Sequence, residues 1–269
     1  MKKFGFIGMG NMAKALAAGF IGNGALKAEQ ISAFAPNQEK LNKNAEQIGF
    51  TAMATVEGVI RNSDIIIMAC KPYQIEGVLK QTADLWSGKV LLSVAAGWDH
   101  KRYTDCMRNL GILKEDGDVR IQFIMPNTPA LVAEGIFLFE ETTSLLEEEL
   151  EEIKTLFATL GIVEMMPTHL MGIGGAVCGC TPAYVDMFIE AYADAAVKYG
   201  IQRQTAYRLI SQMVLGSAKL QQETELHPGI LKDQVCSPGG TTIRGVAALE
   251  ENGFRSACIA SIDAIMSAK

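Results

Sequence analysis

The sequence has few of the features that mark specialised classes of protein. Aromatic residues make up only 7% of its 269 residues, and its 24 Lys and Arg are outnumbered by 30 Asp and Glu, giving a formal charge of −6. Binding along a nucleic-acid backbone needs a basic surface that releases counterions, so nucleic acid is not an expected partner. With 49% hydrophobic and 20% charged residues, the composition is that of an ordinary globular protein.

Long apolar segments are also missing. No stretch approaches the roughly 18 uninterrupted apolar residues that a membrane-spanning helix needs. The first three residues are Met-Lys-Lys, but glycines then interrupt what would be the apolar core of a signal peptide. These absences predict a cytoplasmic protein without a membrane partner.

The six cysteines lack the spacing of a disulfide framework or a metal site. Cys178 and Cys180 are close in sequence, but no matching second pair or nearby histidine accompanies them. Packing is therefore the favoured role for the pair, the thiols are expected to be reduced, and no metal site is predicted.

The first half of the chain alternates short apolar runs with longer amphipathic ones, a pattern typical of βαβ units and a parallel sheet. Strands are predicted at residues 3–7, 31–34, 65–69, 90–93, 121–125, 136–139 and 162–165. A helix is predicted over residues 144–160, where apolar positions repeat at helical spacing and Gly161 follows as a stop.

Strand signals vanish beyond Pro167. Three amphipathic segments follow, at residues 183–199, 203–224 and 241–267, and they predict an all-helical region. Helices rich in Ala and Met, with little aromatic bulk, are poorly suited to forming a large core from about 100 residues. A homodimer or higher homo-oligomer is expected.

A glycine-rich turn joins the first strand to the first helix. Gly8, Gly10 and Ala13 fit the Gly-x-Gly-x-x-Gly/Ala fingerprint of dinucleotide sites, and the helix is expected to begin around Asn11 or Met12. Gly8 permits the tight turn, Gly10 lets the backbone approach a pyrophosphate, and the helix amides meet the negative charge. A chance glycine pair is the alternative, which the strand-to-helix context disfavours.

These patterns together predict an α/β fold in two domains. Residues 1–168 are expected to form an N-terminal Rossmann-like dinucleotide-binding domain. Residues 169–269 are expected to form an all-α C-terminal domain for substrate binding and dimerisation.

The end of the second strand bears on cofactor choice. An NAD-selective site normally carries an acid there for the ribose 2′-hydroxyl, but this sequence has Ala35, a proline and Asn37. Asn37 is a potential hydrogen-bond donor, and Lys40 and Lys43 follow, so a 2′-phosphate and hence NADPH are favoured. Glu39 opposes that preference, which leaves NADH as a possible second cofactor.

Two further strand ends carry prolines beside polar residues. Lys71 and Pro72 follow one predicted strand, and Asn127 follows another within Met-Pro-Asn-Thr-Pro. Ligands in open parallel sheets bind just outside such ends, so both loops are expected to flank the nicotinamide. Rigid turns without a ligand are an equally open interpretation.

The most informative segment is residues 237–242, Ser-Pro-Gly-Gly-Thr-Thr, which leads into a predicted helix. The proline and two glycines shape a tight turn with several free amides, and the three hydroxyls are available as caps or ligands. Such a nest suits a carboxylate. A helix cap without a ligand remains the alternative.

This segment resembles the signature region of pyrroline-5-carboxylate reductases, and the resemblance spans nearly the whole chain. The matching motifs are His227-Pro-Gly, Leu231-Lys-Asp, Ser237-Pro-Gly-Gly-Thr-Thr, Leu249-Glu, Phe6-Ile-Gly-x-Gly, Lys71-Pro, Met125-Pro-Asn-Thr-Pro and Pro182-Ala-Tyr. One departure lies at residues 177–181, where Val-Cys-Gly-Cys-Thr stands in place of the family's usual Ser-Gly-Ser-Gly.

The resemblance implies an oxidoreductase of proline biosynthesis that acts on a CH–NH group. It would use NAD(P)H to reduce the C=N bond of 1-pyrroline-5-carboxylate to L-proline, the last step of the pathway. Because a cyclic imine arrives protonated, such a site needs no strong general acid. The implied catalytic residue is Thr242, whose hydroxyl would hydrogen-bond the ring nitrogen.

The resemblance also implies a set of substrate contacts. Backbone amides of the signature loop would hold the substrate carboxylate, and one residue would act across a dimer interface. The implied substrate-binding residues are Ser237, Gly239, Gly240, Thr241, Thr242 and Glu225.

Two rival functions remain open. A β-hydroxyacid dehydrogenase shares this domain plan and uses a helical-domain lysine as its acid, for which Lys198 is the nearest candidate. A sensor or scaffold that keeps the fold without chemistry belongs to a different class, and fold alone does not exclude it.

Overall fold

The apolar runs of the first half of the chain form the strands of a single sheet. The strands are β1 Phe4–Ile7, β2 Ile31–Phe34, β3 Thr51–Ala52, β4 Ile65–Met68, β5 Val90–Ser93, β6 Arg120–Pro126, β7 Gly135–Glu140 and β8 Gly161–Met166. The computed structural model describes residues 2–115 and 118–268, and in this part of the chain eight strands lie in the order β3-β2-β1-β4-β5-β6-β7-β8. Each predicted strand is present to within one residue at either end.

The sheet departs from the predicted parallel arrangement at one pair. Neighbouring strands from β3 to β6 are parallel and so are β7 and β8, but β6 and β7 are antiparallel. The connection between β6 and β7 holds only the short 3-10 turn Thr128–Val132, which is too short for a crossover. The prediction of an all-parallel sheet is therefore wrong at this pair, and the two-residue strand β3 was not predicted.

Helices cover both faces of the sheet. They are α1 Asn11–Gly22, α2 Gln38–Ile48, α3 Val56–Arg61, α4 Ile75–Gln81, α5 His100–Asn109, α6 Glu147–Ala158 and α7 Met171–Gly175. Successive side chains of β4 alternate between two cores: Ile65 and Ile67 pack on the side of α1 and α6, and Ile66 packs with α3, α4 and α5. Burial on both faces explains why this strand is an unbroken apolar run.

The helix α6 begins later than the predicted residue 144. Leu146 is the N-cap residue and has an extended backbone. Its N–H donates to a carboxylate oxygen of Glu149, in the first turn of the helix, at 3.1 Å. Three glutamates lie in that first turn, where the helix dipole favours negative charge.

The carboxyl-terminal helices are α8 Thr181–Lys198, α9 Arg203–Thr224, α10 Pro228–Gln234, α11 Thr241–Glu251 and α12 Phe254–Ser267. The predicted continuous segment 241–267 is wrong as a single helix, because Asn252 ends α11 and Gly253 takes a left-handed φ of +73°. The short helix α10 was not predicted. His227 caps it through a ring nitrogen that accepts the Gly229 N–H at 3.0 Å.

The chain divides into two compact units, residues 1–179 and residues 180–269. The second unit buries very little: of its described residues only Ala193 and Ala206 are buried hydrophobic residues. Large apolar side chains such as Met187 and Ile259 are about two-thirds exposed, at 66% and 65%. Exposed apolar area of this kind marks a surface that contacts another protein, a membrane or a ligand.

One helical run, Thr168–Lys198, is long and apolar enough on average to cross a membrane, with a mean hydropathy of 1.2. This run was not predicted from uninterrupted apolar residues in the sequence, because Asp186 and Glu190 interrupt it. Length and composition alone are weak grounds for a membrane span, and only 11% of the apolar window is buried within the chain. This run contributes to the uncovered apolar surface.

Phe157 supports the core on the α1 and α6 side and provides a test of it. Its ring meets the rings of Phe137, Phe20 and Phe139 edge-on, at centroid distances of 5.1, 5.4 and 5.5 Å. Phe157→Ala is expected to lower the free energy of unfolding of this unit by about 3–5 kcal/mol in urea titration, through the cavity it leaves. Tyr73→Ala, at a ring that is 83% exposed, is expected to change it by less than about 0.5 kcal/mol. Equal effects of the two changes would contradict this packing.

Candidate active site

The turn between β1 and α1 requires glycine at its first position. Gly8 has a φ of +98°, and its N–H donates to the Phe34 carbonyl at 2.8 Å. A Cβ on Gly8 would lie 2.6 Å from the Cys70 nitrogen and 2.7 Å from the Ala69 carbonyl. Gly10 is different, because a Cβ there would meet nothing within 4 Å. Backbone conformation and packing therefore require glycine at position 8, whereas Gly10 is not required by packing within the chain.

The amino terminus of α1 is left without a side-chain cap. Its N-cap residue is Gly10, whereas α2, α3 and α5 are capped by Asn37, Thr55 and Asp99, whose side chains accept first-turn amides. The first-turn N–H groups of α1 therefore remain available, and the helix dipole adds positive potential there. An anionic group is the natural occupant of such an end.

A cavity of about 660 Å³ opens at the carboxyl ends of β1, β2, β4 and β5. Eight of the nine predicted cofactor residues line it, and they come from three separate loops. These residues are Gly8, Gly10, Asn11, Met12, Ala35, Asn37, Lys71 and Pro72. Sequence reasoning missed the loop after β5, from which Val94, Ala95 and Ala96 also line the cavity. The signal available was a run of small residues directly after an apolar strand.

The β2 end of the cavity carries no acid. Asn37 accepts the Lys40 N–H through Oδ1 at 2.9 Å, which leaves its Nδ2 group for another acceptor. The Gln38 side chain donates to the Ala35 carbonyl at 2.9 Å and so braces this turn from behind. Lys71 is exposed on the opposite loop and adds positive charge.

Cys70 also lines this cavity, and its thiol packs inward against Met68. Burial raises the pKa of Cys70 to about 11, and its sulfur lies 3.6 Å from that of Met68. The side chain is therefore a neutral thiol at physiological pH. It places no negative charge beside a phosphate-bearing ligand.

Asn127, the ninth predicted cofactor residue, is not among the residues that line the cavity. Its side chain is nearly buried: Oδ1 accepts the Ile136 N–H at 2.9 Å, and Nδ2 donates to the Cys178 carbonyl at 3.1 Å. Asn127 thus ties the loop after β6 to the π-helical turn Ala176–Cys180. Its predicted direct contact with the nicotinamide stays a prediction.

In the second unit, residues 237–242 form a tight turn directly before α11. The Gly240 N–H donates to the Ser237 carbonyl at 3.0 Å, and Gly239 between them has a φ of +70°. This is the type II pattern, with proline followed by glycine at the two central positions. The φ of Gly239 favours glycine there, and a Cβ on Gly240 would lie 2.4 Å from the Ser237 hydroxyl oxygen, so a side chain at position 240 would displace that hydroxyl.

The helix that follows is also without a side-chain cap. Gly240 is the N-cap of α11, and Thr241 and Thr242 are exposed residues of its first turn. The turn and the eleven-residue helix thus present backbone N–H groups and two hydroxyls at one exposed point. This arrangement suits a small carboxylate, as in α1 it suits a phosphate.

The remaining candidate residues, Glu225 and Lys198, are both exposed residues of the second unit. Glu225 is exposed and ends α9 in a left-handed conformation, with a φ of 54° that non-glycine residues rarely adopt. Lys198 lies exposed near the end of α8, its Nζ 5.8 Å from the centroid of the Tyr199 ring. Over residues 2–115 and 118–268, no group of three or more His, Cys, Asp or Glu residues is placed to hold a metal ion.

The sheet order, the glycine turn and the cavity together define the first unit as a Rossmann-like dinucleotide-binding domain. Residues 3–97 match a family described as NADP oxidoreductase coenzyme F420-dependent, and residues 168–269 match one described as pyrroline-5-carboxylate reductase dimerisation. Pyrroline-5-carboxylate reductases of Treponema pallidum and Escherichia coli are 41% and 40% identical to the chain over 98% of its length. The match covers 98% and 96% of those two enzymes. The chain belongs to the pyrroline-5-carboxylate reductase family.

Solved structures agree with this assignment. The pyrroline carboxylate reductase of Plasmodium falciparum, crystallised with NADP bound, superposes with a TM-score of 0.85 at 30% identity, covering 98% of this chain and 95% of that one. A 3-hydroxyisobutyrate dehydrogenase of Mycobacterium tuberculosis gives only 0.51 at 14% identity, so the likeness to that rival class is one of fold alone.

Family membership confirms several expectations. These are the two-part fold, an NADP(H)-dependent oxidoreductase acting on a CH–NH group, a role in proline biosynthesis, and a homo-oligomer built through the dimerisation domain. The exposed apolar helices described above are explained by that domain, because they belong to residues 168–269.

Gly10→Ala tests whether the cavity binds a dinucleotide at the α1 terminus. The added methyl group would meet empty space in the free protein, so folding stability is expected to fall by no more than about 1 kcal/mol, the cost of alanine at an N-cap. The same methyl group would obstruct a pyrophosphate, and the NADPH Kd is expected to rise about tenfold or more by calorimetric titration.

Gly22→Ala is the matched control, since it lies in the same helix and its Cβ would also meet nothing within 4 Å. It is expected to bind NADPH as the unaltered protein does. Unchanged affinity in Gly10→Ala would contradict this cofactor site.

Proposed function

We propose that this chain reduces the C=N bond of 1-pyrroline-5-carboxylate to L-proline with NADPH, holding the two anionic ligands at two separate helix amino termini. Glycine is the N-cap of α1, α11 and α12, at Gly10, Gly240 and Gly253. The observation that carries the proposal is that α1 begins at the edge of the cavity and α11 begins directly after the tight turn of residues 237–240. A dinucleotide contributes a pyrophosphate and the substrate a carboxylate, which gives one anion for each end.

The residues of the first unit fit the cofactor. Gly8 and Gly10 leave the backbone approach open, and the amides of Asn11 and Met12 would hold the pyrophosphate. Asn37 would donate to the 2′-phosphate beside Ala35, which carries no negative charge, and Lys71 and Pro72 would flank the nicotinamide. When bound, the nicotinamide supplies the hydride. NADH would bind more weakly, because Asn37 then loses its anionic partner.

Asn127 would support the cofactor through the loop that it holds. Both ends of its amide are already hydrogen-bonded to backbone groups, so its contribution is to keep the loop after β6 in place. Direct donation to the carboxamide would require the remaining Nδ2 hydrogen.

The residues of the second unit would bind the substrate. Amides of Gly239, Thr241 and Thr242 would hold its carboxylate, with the Ser237 hydroxyl beside them, while the Gly240 N–H closes the turn on the Ser237 carbonyl. Holding the carboxylate fixes the ring and sets the orientation of the C=N bond. Glu225 is proposed to assist from a second subunit.

Thr242 is the proposed catalytic residue. A protonated imine is already an electrophile and needs no strong acid, which suits a hydroxyl that is not activated by a base. The Thr242 oxygen would accept the hydrogen bond of the protonated ring nitrogen. That bond selects the protonated form and aligns its carbon for hydride attack.

We also propose a cytoplasmic location, in keeping with the reduced thiols of all six cysteines. The apolar run Thr168–Lys198 is then a subunit surface. Cell fractionation is expected to recover the enzyme in the high-speed supernatant, and recovery in the membrane pellet would oppose this location.

Substitutions at Thr242 test the chemistry. Thr242→Val removes the hydroxyl at nearly constant volume and is expected to lower kcat/KM about tenfold to a hundredfold, the value of one hydrogen bond to a charged group. Thr242→Ser retains the hydroxyl and is expected to stay close to the unaltered enzyme. Thr155→Val, at an exposed threonine of α6, is expected to change nothing. The assay follows NADPH absorbance with pyrroline-5-carboxylate and confirms proline as product.

The outcomes separate the alternatives. A fully active Thr242→Val enzyme would remove Thr242 from the mechanism while leaving the reductase activity standing. Absence of turnover with either nicotinamide cofactor, from a folded protein that binds NADPH, would favour the sensor or scaffold. Loss of turnover in Lys198→Met alone would favour the dehydrogenase.

A further inference from the structure

One wall of the cofactor cavity consists of backbone and methyl groups only. Val94, Ala95 and Ala96 line the cavity directly after β5, and the chain then turns at Gly97, whose φ is +75°. The Trp98 N–H closes this turn on the Ala95 carbonyl at 3.2 Å. The Val94 N–H donates to the Met68 carbonyl at 3.1 Å and the Ala95 N–H to the Ser93 hydroxyl at 3.4 Å, so the near end of this wall is held by the sheet. The position of its far end depends on what holds the turn at Gly97.

Arg102, on the first turn of α5, reaches back to that end. Its Nη1 donates to the Gly97 carbonyl at 2.8 Å, and its guanidinium carbon lies 4.5 Å from the centroid of the Trp98 ring. The backbone N–H of Arg102 donates to the Asp99 carboxylate at 2.8 Å, which fixes the start of the helix that carries it. One side chain thus contacts two consecutive residues of the turn.

The indole of Trp98 is held from its other side as well. Trp98 is only 4% exposed, and its ring centroid lies 4.9 Å from that of the fully buried Tyr103. In the described part of the chain, the buried indole N–H has no hydrogen-bond partner. Ring contacts therefore hold the indole, and the guanidinium provides one of them.

We propose that Arg102 is a positioning residue for the cofactor. It holds the turn at Gly97 and Trp98, and thereby the wall formed by residues 94–96, in the shape that the nicotinamide cofactor requires, without lining the cavity itself. The inference rests on the proposed use of this cavity for the cofactor. It assigns Arg102 an effect on cofactor affinity and none on the binding of the imine.

Arg102→Met tests the role, because methionine keeps an unbranched stem and removes the guanidinium. The KM and Kd for NADPH are expected to rise about threefold to tenfold, the value of one hydrogen bond and one ring contact. The KM for pyrroline-5-carboxylate is expected to stay unchanged. Arg102→Lys restores the charge but not the planar fork and is expected to fall between the two.

Lys101→Met is the matched control. It removes the same charge from the adjacent residue of the same helix, where Lys101 pairs with Asp105 at 2.5 Å. This variant is expected to bind NADPH normally. A nonspecific loss of positive charge would affect both variants alike and would overturn the proposal.

A spectroscopic readout separates a local effect from a loss of stability. The chain has two tryptophans, so Trp86→Phe leaves Trp98 as the reporter on the turn. In that background Arg102→Met is expected to shift Trp98 emission to longer wavelength at temperatures well below melting. Wild-type emission together with wild-type NADPH affinity in the variant would overturn this inference alone. Failure of the unaltered protein to bind NADPH would overturn the proposed function and this inference with it.

Discussion

Both proposed ligand sites depend on free backbone N–H groups, which lie at the glycine-capped amino termini of α1 and α11. Helices α2, α3 and α5 satisfy first-turn amides with Asn, Thr and Asp side chains, whereas α1, α11 and α12 have Gly10, Gly240 and Gly253 at the N-cap. Giving up a side-chain cap for glycine costs only about a few tenths of a kcal/mol. With glycine at the N-cap, the first-turn N–H groups of α1 and α11 stay available to bind an anion, and the helix dipole favours it.

Because small residues line the cavity, side chains behind the loops hold these loops in place. The loops of the cavity are rich in Gly, Ala and Pro, which bring the backbone close to a ligand but offer no anchoring groups. Gln38 braces the turn after β2 and Arg102 the turn after β5, in each case by donating a hydrogen bond to a backbone carbonyl. Asn127 holds the loop after β6, which does not line the cavity, through two hydrogen bonds with backbone groups. None of these three side chains lines the cavity.

Local features were predictable from the sequence, and long-range ones were not. The strands and the glycine fingerprint at Gly8 and Gly10 depend on neighbouring residues, so pattern and spacing reveal them. The antiparallel direction of β7 depends on a connection too short for a crossover, and the two partners of Asn127 lie 9 and 51 residues away along the chain. The break at Asn252 and Gly253 carried a local signal, which the continuing amphipathic pattern outweighed.

A crystal structure of the protein with NADP⁺ and L-proline would test the two-anion account most directly. The account predicts the pyrophosphate on the amides of Asn11 and Met12 and the proline carboxylate on the amides of Gly239, Thr241 and Thr242, with the Thr242 hydroxyl at the ring nitrogen. A carboxylate held by a lysine or arginine side chain, with the amino terminus of α11 free of ligand, would contradict it.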